Sequence, residues 1–301
     1  MVKIRIKLTI FLLFSGIVFN QSAFCETLTS EQAMLKYNSS LIKIFEIQNN
    51  IEDIHPFLKK TFPIAIVEDN YFFVFDTDSS GKKYVLVKEA PTKMSLPKGV
   101  RAAFPLECYE GKAACVVSGE IFESLEGYVT IFHEFMHCYQ WENCEQKLKG
   151  KLGIARKAME KKDFMWELNH SFPYQDNKFT ETYALFLRAL KENKPEDIIK
   201  YRRQLKQILS KHDFEYMVWQ EWKEGFARFI ENQIRRRLEL KGNHYGIEKP
   251  FGRVSFYEEG SGFIKFLGNQ EPELLVDIEN LFNKMLSCER DASSNSTYET
   301  L

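Results

Sequence analysis

Apolar positions along the 301-residue chain change their period twice. From Glu26 to Lys60 they recur as on one side of a helix, with Leu35, Leu41, Ile42, Phe45, Ile51 and Ile54 as the expected buried face. Three short runs rich in β-branched and aromatic residues follow, IAIV (64–67), YFFVF (71–75) and KYVLVK (83–88), the last two separated by the turn-like DTDSSG. Past Pro91 and Pro97, RAAFPLEC and AACVVSGEIF read as a further hairpin. The helical period returns at Tyr128–Gln140, where Tyr128, Phe132, Phe135 and Tyr139 recur without a Gly or Pro between them. From Gln146 onward nearly every segment is helical in pattern. LGIARKAMEKKDFMWEL, FTETYALFLRALKEN, PEDIIKYRRQLKQILSKH and FEYMVWQEWKEGFARFIENQIRRRLELKG come first, then Tyr257–Leu267 and ELLVDIENLFNKML. The closing CERDASSNSTYET reads as a disordered tail. A strand-rich front half feeding one central helix and then a helical back half predicts an α+β fold.

The central helix carries the first candidate chemistry. TIFHEFMHCYQ (130–140) contains H-E-x-x-H, with His133 and His137 four residues apart and Glu134 directly after the first. On a helix the two imidazoles project from one face, one turn apart, and can share one metal ion, zinc being the usual one. Glu134 is placed to act as general base on a water at that metal without binding the metal itself.

Composition narrows the setting. Lys3, Arg5 and Lys7, an apolar run Leu8–Phe19 and the small-residue stretch Ser22-Ala23-Phe24-Cys25 resemble a secretory leader, with cleavage expected after Cys25. The apolar run is short for a membrane span. A lipid-modified Cys25 is disfavoured by the bulk of Phe24, so a soluble secreted or periplasmic protein is expected, with no stable membrane insertion after cleavage. The formal net charge of −1 becomes more acidic once the leader's basic residues are gone, and no basic tract appears. That argues against nucleic acid as a partner. Cys108, Cys115, Cys138, Cys144 and Cys288 remain after the leader. A two-residue turn at Gly111-Lys112 would set Cys108 opposite Cys115 in a hairpin, Cys138 and Cys144 form a possible second pair, and Cys288 is left over.

Two histidines do not complete a catalytic zinc site; a third protein ligand is needed. His55, His170, His212 and His244 have no distinctive context, and the longer H-E-x-x-H-x-x-G-x-x-H signature is absent. Two carboxylates on later helices are candidates. Glu224, in WQEWKEGFARFIEN, sits among Trp219, Trp222, Phe226, Phe229 and Ile230, and Gly225 would let its helix approach the H-E-x-x-H helix closely. Glu181, in FTETYALF, is also surrounded by aromatics, and the residues alone leave both open.

WKEGFARFIE resembles the W-L-N-E-G-F-A segment of the aminopeptidase N family of gluzincin metallopeptidases, which supplies that family's third zinc ligand. The resemblance therefore implies Glu224. SFYEEGSGFIKFLGN resembles the later Y-E-K-G segment, whose tyrosine donates to the developing oxyanion. It implies that role for Tyr257 and aligns Gly260 with the motif's glycine. These three short segments occur in the family's order, with the helices of Gln146–His212 as an insertion between the ligand helices. The family's G-A-M-E-N segment is absent, so aminopeptidase specificity is not carried over. A strand such as Ala113–Ser118 is instead expected to line the cleft and pair with an extended substrate.

The resemblance implies a zincin-like fold. Residues 1–25 are read as a leader, 26–145 as an N-terminal α/β part with the zinc-binding helix, 146–287 as a helical part with the third ligand, and 288–301 as the tail. The expected activity is zinc-dependent hydrolysis of peptide or protein substrates, with His133, His137 and Glu224 on the metal and Glu134 and Tyr257 catalytic. The alternatives are a zinc hydrolase of non-peptide amides and an inactive exported binding protein on the same scaffold.

Overall fold

The computed structural model describes residues 28–93 and 96–287. The expected leader, Cys288 and the C-terminal tail lie outside them. Helix α1 (Ser30–Ile51) opens on a capping box in which Thr29 and Gln32 satisfy each other's backbone N–H groups. Its buried face is Ala33, Tyr37, Leu41, Ile44, Ile47 and Ile51, while Leu35 and Ile42 are exposed. The face is thus rotated from the one expected, because the residues at three- and four-residue spacing from Tyr37 and Leu41 set the stripe. The helix also ends well before Lys60, since Pro56 disfavours helix in the residue before it and starts a short 3₁₀ turn.

Five strands follow: β1 (Ile64–Glu68), β2 (Tyr71–Thr77), β3 (Tyr84–Pro91), β4 (Arg101–Leu106) and β5 (Lys112–Ser118). Their order is β3-β2-β1-β5-β4; β5 runs parallel to β1, and the other pairs are antiparallel. Asp69 and Asn70, both at positive φ, make the tight β1–β2 turn. The sheet corrects two expectations. β5 is paired on both sides, so Ala113–Ser118 has no free edge; β4 is the edge strand on that side. The β4–β5 connection is longer than two residues, because Glu107–Tyr109 form a 3₁₀ turn before Glu110 and Gly111 take positive φ. Cys115 therefore stands opposite Ala103, not Cys108, and both thiols are free. Cys138 and Cys144 are free and buried as well, their six-residue separation on helical backbone turning them to different sides.

After a 3₁₀ turn at Gly119–Glu123, which takes the place of the expected strand end, Ser124 caps α2 (Leu125–Gln140) by accepting from the Gly127 N–H at 3.1 Å. Tyr128, Phe132, Phe135 and Met136 are buried in the main core, with Phe135 packed on Phe62 below the sheet. A π turn at Trp141–Glu145 leads into the helical half. That half comprises α3 (Gln146–Lys151), α4 (Gly153–Glu160), α5 (Trp166–Asn169), α6 (Asn177–Lys191), α7 (Pro195–Ile208), α8 (Lys211–Arg237), α9 (Ser255–Gln270) and α10 (Ile278–Ser287). The segment 152–168 is two helices rather than one, broken near Lys162 at positive φ. No helix among the described residues is long and apolar enough to cross a membrane.

The long helix α8 packs against α2 on one side and α9 on another. Gly225 belongs to the second contact: a Cβ there would lie 2.8 Å from the Gly260 backbone, and one on Gly260 would lie 2.5 Å from the Glu221 carbonyl oxygen. The close approach that Gly225 permits is therefore to α9, because a residue next to Glu224 is turned about 100° from it around the helix.

Near the same crossing, Arg202 holds Glu221 through two bonds of 2.6 Å and stands 3.9 Å from Glu259, all three fully buried. One guanidinium faces two carboxyls. Burial and the Glu221 carboxylate push Glu259 well above the ordinary carboxylate range, so it keeps its proton in the folded chain. The unfolded chain releases that proton near pH 4.5, so folding stability falls as pH rises from there toward the folded-state value. Glu259→Gln removes the titration and keeps a donor toward Glu221. Thermal melts from pH 4 to 8 are expected to show a smaller loss of stability with rising pH than the parent, and a higher Tm at neutral pH; an unchanged pH slope contradicts this assignment.

Candidate metal centre

Helix α2 presents His133 and His137 from one face, their rings 5.0 Å apart. Helix α8 brings Glu224 opposite them. Its Oε2 lies 3.8 Å from His133 Nε2 and 3.6 Å from His137 Nε2, and the three groups form a cluster able to hold a metal ion. Helices α3–α7 lie between them in sequence yet leave α2 and α8 packed side by side. Glu181 is exposed at the start of α6 and has no place in the cluster.

The rings are braced from behind. His133 Nδ1 donates to Glu231 Oε2 at 3.0 Å, and His137 Nδ1 donates to Gln140 Oε1 at 2.9 Å. Gln140 in turn donates to the carbonyls of Trp222 and Lys223, both at 3.2 Å, and so ties α2 to the turn of α8 that carries Glu224. With both Nδ1 atoms used as donors, each Nε2 faces Glu224 and is the nitrogen left for a metal. Tetrahedral bonds of about 2.0–2.1 Å set ligand–ligand edges of roughly 3.3 Å. Glu224 Oε2 stands about 0.3 and 0.5 Å beyond that spacing from the two Nε2 atoms, and all three donor atoms lie within 4.8 Å of one another, so the residues present fit a metal ion after a small adjustment.

Electrostatics agree with a cation here. Against the effect of burial, the imidazoles hold Glu224 well below the usual carboxylate range, and His133, Asn243 and Arg235 bring Glu231 to about 2. Burial opposes a charge on His133, but Glu224 and Glu231 carry it up to about 10. The same carboxylates that hold a proton there favour a dication. Glu134, buried beside the histidines, is pushed up by burial and by Glu224, with the imidazoles opposing.

Known protein families, curated proteins and solved structures offer no match to this chain.

The cluster opens into a cleft of about 670 Å³. One wall is the edge strand β4 at Arg101–Ala103; another is the apolar ledge of Phe164, Met165 and Leu168, each at least half exposed. Tyr257 reaches the cleft from α9, and its hydroxyl accepts a hydrogen bond from Arg253 Nη1. The remaining histidines are elsewhere: His55 at the Leu275 carbonyl, His170 at Asp213, His212 near Gly153, His244 at Glu258. Sequence reading missed the braces Glu231 and Gln140. The signal was there, since Glu231 lies two turns beyond Glu224 on one face of α8 and Gln140 one turn beyond His137.

Zinc competition titrations against a chromophoric chelator test this arrangement. Glu224→Ala is expected to lose tight binding, Glu231→Gln to weaken it about 10- to 100-fold by loosening His133, and Glu181→Ala to leave it unchanged. Loss in Glu181→Ala with retention in Glu224→Ala would move the site.

Proposed function

We propose that this chain is an exported zinc-dependent metallopeptidase of gluzincin type. The observation that carries the reading is the convergence of His133 Nε2, His137 Nε2 and the Glu224 carboxylate, with Glu134 beside them, at the floor of an open cleft. The resemblance of the Glu224 and Tyr257 segments to the aminopeptidase N family supports the same set.

Zinc, when bound by His133, His137 and Glu224, supplies Lewis acidity toward water and a carbonyl group. Glu134 accepts a proton from the attacking water as its oxygen bonds to the scissile carbonyl carbon. The carboxyl then delivers that proton to the amide nitrogen as the C–N bond breaks, which restores Glu134. Tyr257 keeps its own hydroxyl proton free, because Arg253 is purely a donor and occupies the oxygen as acceptor. That proton is available to the oxyanion that develops on the carbonyl oxygen. The free edge of β4 suits an extended peptide, whose backbone would add to the sheet as a further strand. An apolar substrate side chain suits the opposite ledge.

Glu134→Gln is expected to retain zinc and to lose about 10²- to 10⁴-fold in peptide cleavage, since an amide neither takes nor returns the proton. Near-normal cleavage by that variant, read on a mixed peptide library, rules out this mechanism. Tyr257→Phe is expected to fold and bind zinc normally, with kcat down about 100- to 1000-fold and KM nearly unchanged. An unchanged kcat with a lowered Tm would leave Tyr257 as a packing residue.

A further inference from the structure

The cations that reach the cleft differ in how they are paired. Lys223 lies 3.2 Å from Glu145 and 3.0 Å from Glu167. Arg228 lies 3.4 Å from Glu231 and bonds the Asn243 and Tyr245 carbonyls, and Arg235 bonds Glu231 at 2.7 Å. Each of these has a carboxylate partner within the fold. Arg101 is exposed on β4 and solvated.

Arg253 is different. It is partly buried at the approach to α9, lines the cleft, and meets no carboxylate at ion-pair distance among the described residues. Its one hydrogen-bond acceptor there is the Tyr257 hydroxyl, and its guanidinium stands 5.4 Å from the centre of that ring. A guanidinium carries five N–H donors in a planar fork, and the hydroxyl uses one of them. Holding a tyrosine needs a single donor, so the other four are surplus to that task. A half-enclosed cation without a counter-charge is costly to keep, and the fork matches a carboxylate with two parallel bonds.

We propose that Arg253 is the anion subsite of this cleft and takes a carboxylate of the peptide substrate. The inference rests on the peptidase reading above and adds a substrate class to it. Position follows from the Tyr257 contact. The hydroxyl serves the scissile carbonyl oxygen, and the same hydroxyl touches the guanidinium. Three hydrogen bonds (carbonyl oxygen to hydroxyl, hydroxyl to guanidinium, guanidinium to carboxylate) and the width of the fork separate the anion from that oxygen by at most about 10 Å, roughly three residues of extended chain. The carboxylate therefore belongs to a residue within about three positions of the cleaved bond, either as an acidic side chain or as the free C-terminus.

Calorimetry on the zinc-loaded full chain, carrying Glu134→Gln so that nothing is turned over, separates the sources. One peptide pair has no acidic side chain and differs as C-terminal acid against C-terminal amide. The other is blocked at both ends and differs as Glu against Gln beside the bond to be cleaved. One pair is expected to show about 10- to 100-fold tighter binding of its charged member, the range a charge-assisted hydrogen bond gives. The pair that discriminates names the source. Adding Arg253→Gln is expected to abolish the preference, and adding Arg253→Lys to leave a reduced one, since the charge stays and the fork goes. A melting curve checks that each variant folds; should Arg253→Gln not fold, the Lys variant decides.

Equal binding within both pairs, no binding of any peptide, or a preference that Arg253→Gln or Arg253→Lys leaves intact overturns the subsite. Cleavage by the unsubstituted chain is scored separately. Charged peptides that bind through Arg253 yet are never cleaved sink the peptidase reading and leave the subsite. Cleavage without charge preference does the reverse.

Discussion

Two imidazoles and a carboxylate, carried on helices otherwise buried among aromatic side chains, must answer one another's polarity or bind an ion. An unpartnered polar group in such surroundings costs more free energy than most single contacts return. The pairing of α2 with α8 meets that constraint. His133 and His137 face Glu224 across the contact, Glu231 and Gln140 hold the rings from behind, and Gln140 reaches the α8 backbone itself. Helix α8 meets the same constraint on its other faces, with Glu221 on Arg202 and Lys223 between Glu145 and Glu167. It is in effect a rod of buried charges, each with a partner from a different element. The sheet places α2, and the Gly225–Gly260 approach lets α9 lie close enough to add Tyr257.

Much of this was legible in the chain because it is local. The H-E-x-x-H spacing needs only a helix to bring the imidazoles together, and aromatic periodicity marks that helix. Strands and later helices fell close to their hydrophobic runs for the same reason. The third group was less legible. Glu224 and Glu181 look alike from their neighbours, and a family resemblance rather than spacing separated them; the fold then sets Glu224 against the histidines and leaves Glu181 exposed.

What was illegible depends on partners distant in sequence. Strand order decides that β4, not β5, has the free edge, and no periodicity within either strand encodes it. Gly225 was matched to the wrong helix because a small residue declares a close contact without declaring with what. The cysteine pairings failed on turn length, since a 3₁₀ turn lengthens the β4–β5 connection and shifts the register. The face of α1 was misread because its exposed side also carries large apolar residues, Leu35 and Ile42.

The central claim is that one metal ion sits between α2 and α8, held by His133, His137 and Glu224. Anomalous diffraction at the zinc absorption edge, from crystals of the zinc-loaded full chain, tests it most directly. The account predicts one strong peak at about 2.0–2.2 Å from both Nε2 atoms and a Glu224 carboxylate oxygen. A peak bound to cysteine sulfur or to other carboxylates, with none between the two helices, would contradict it.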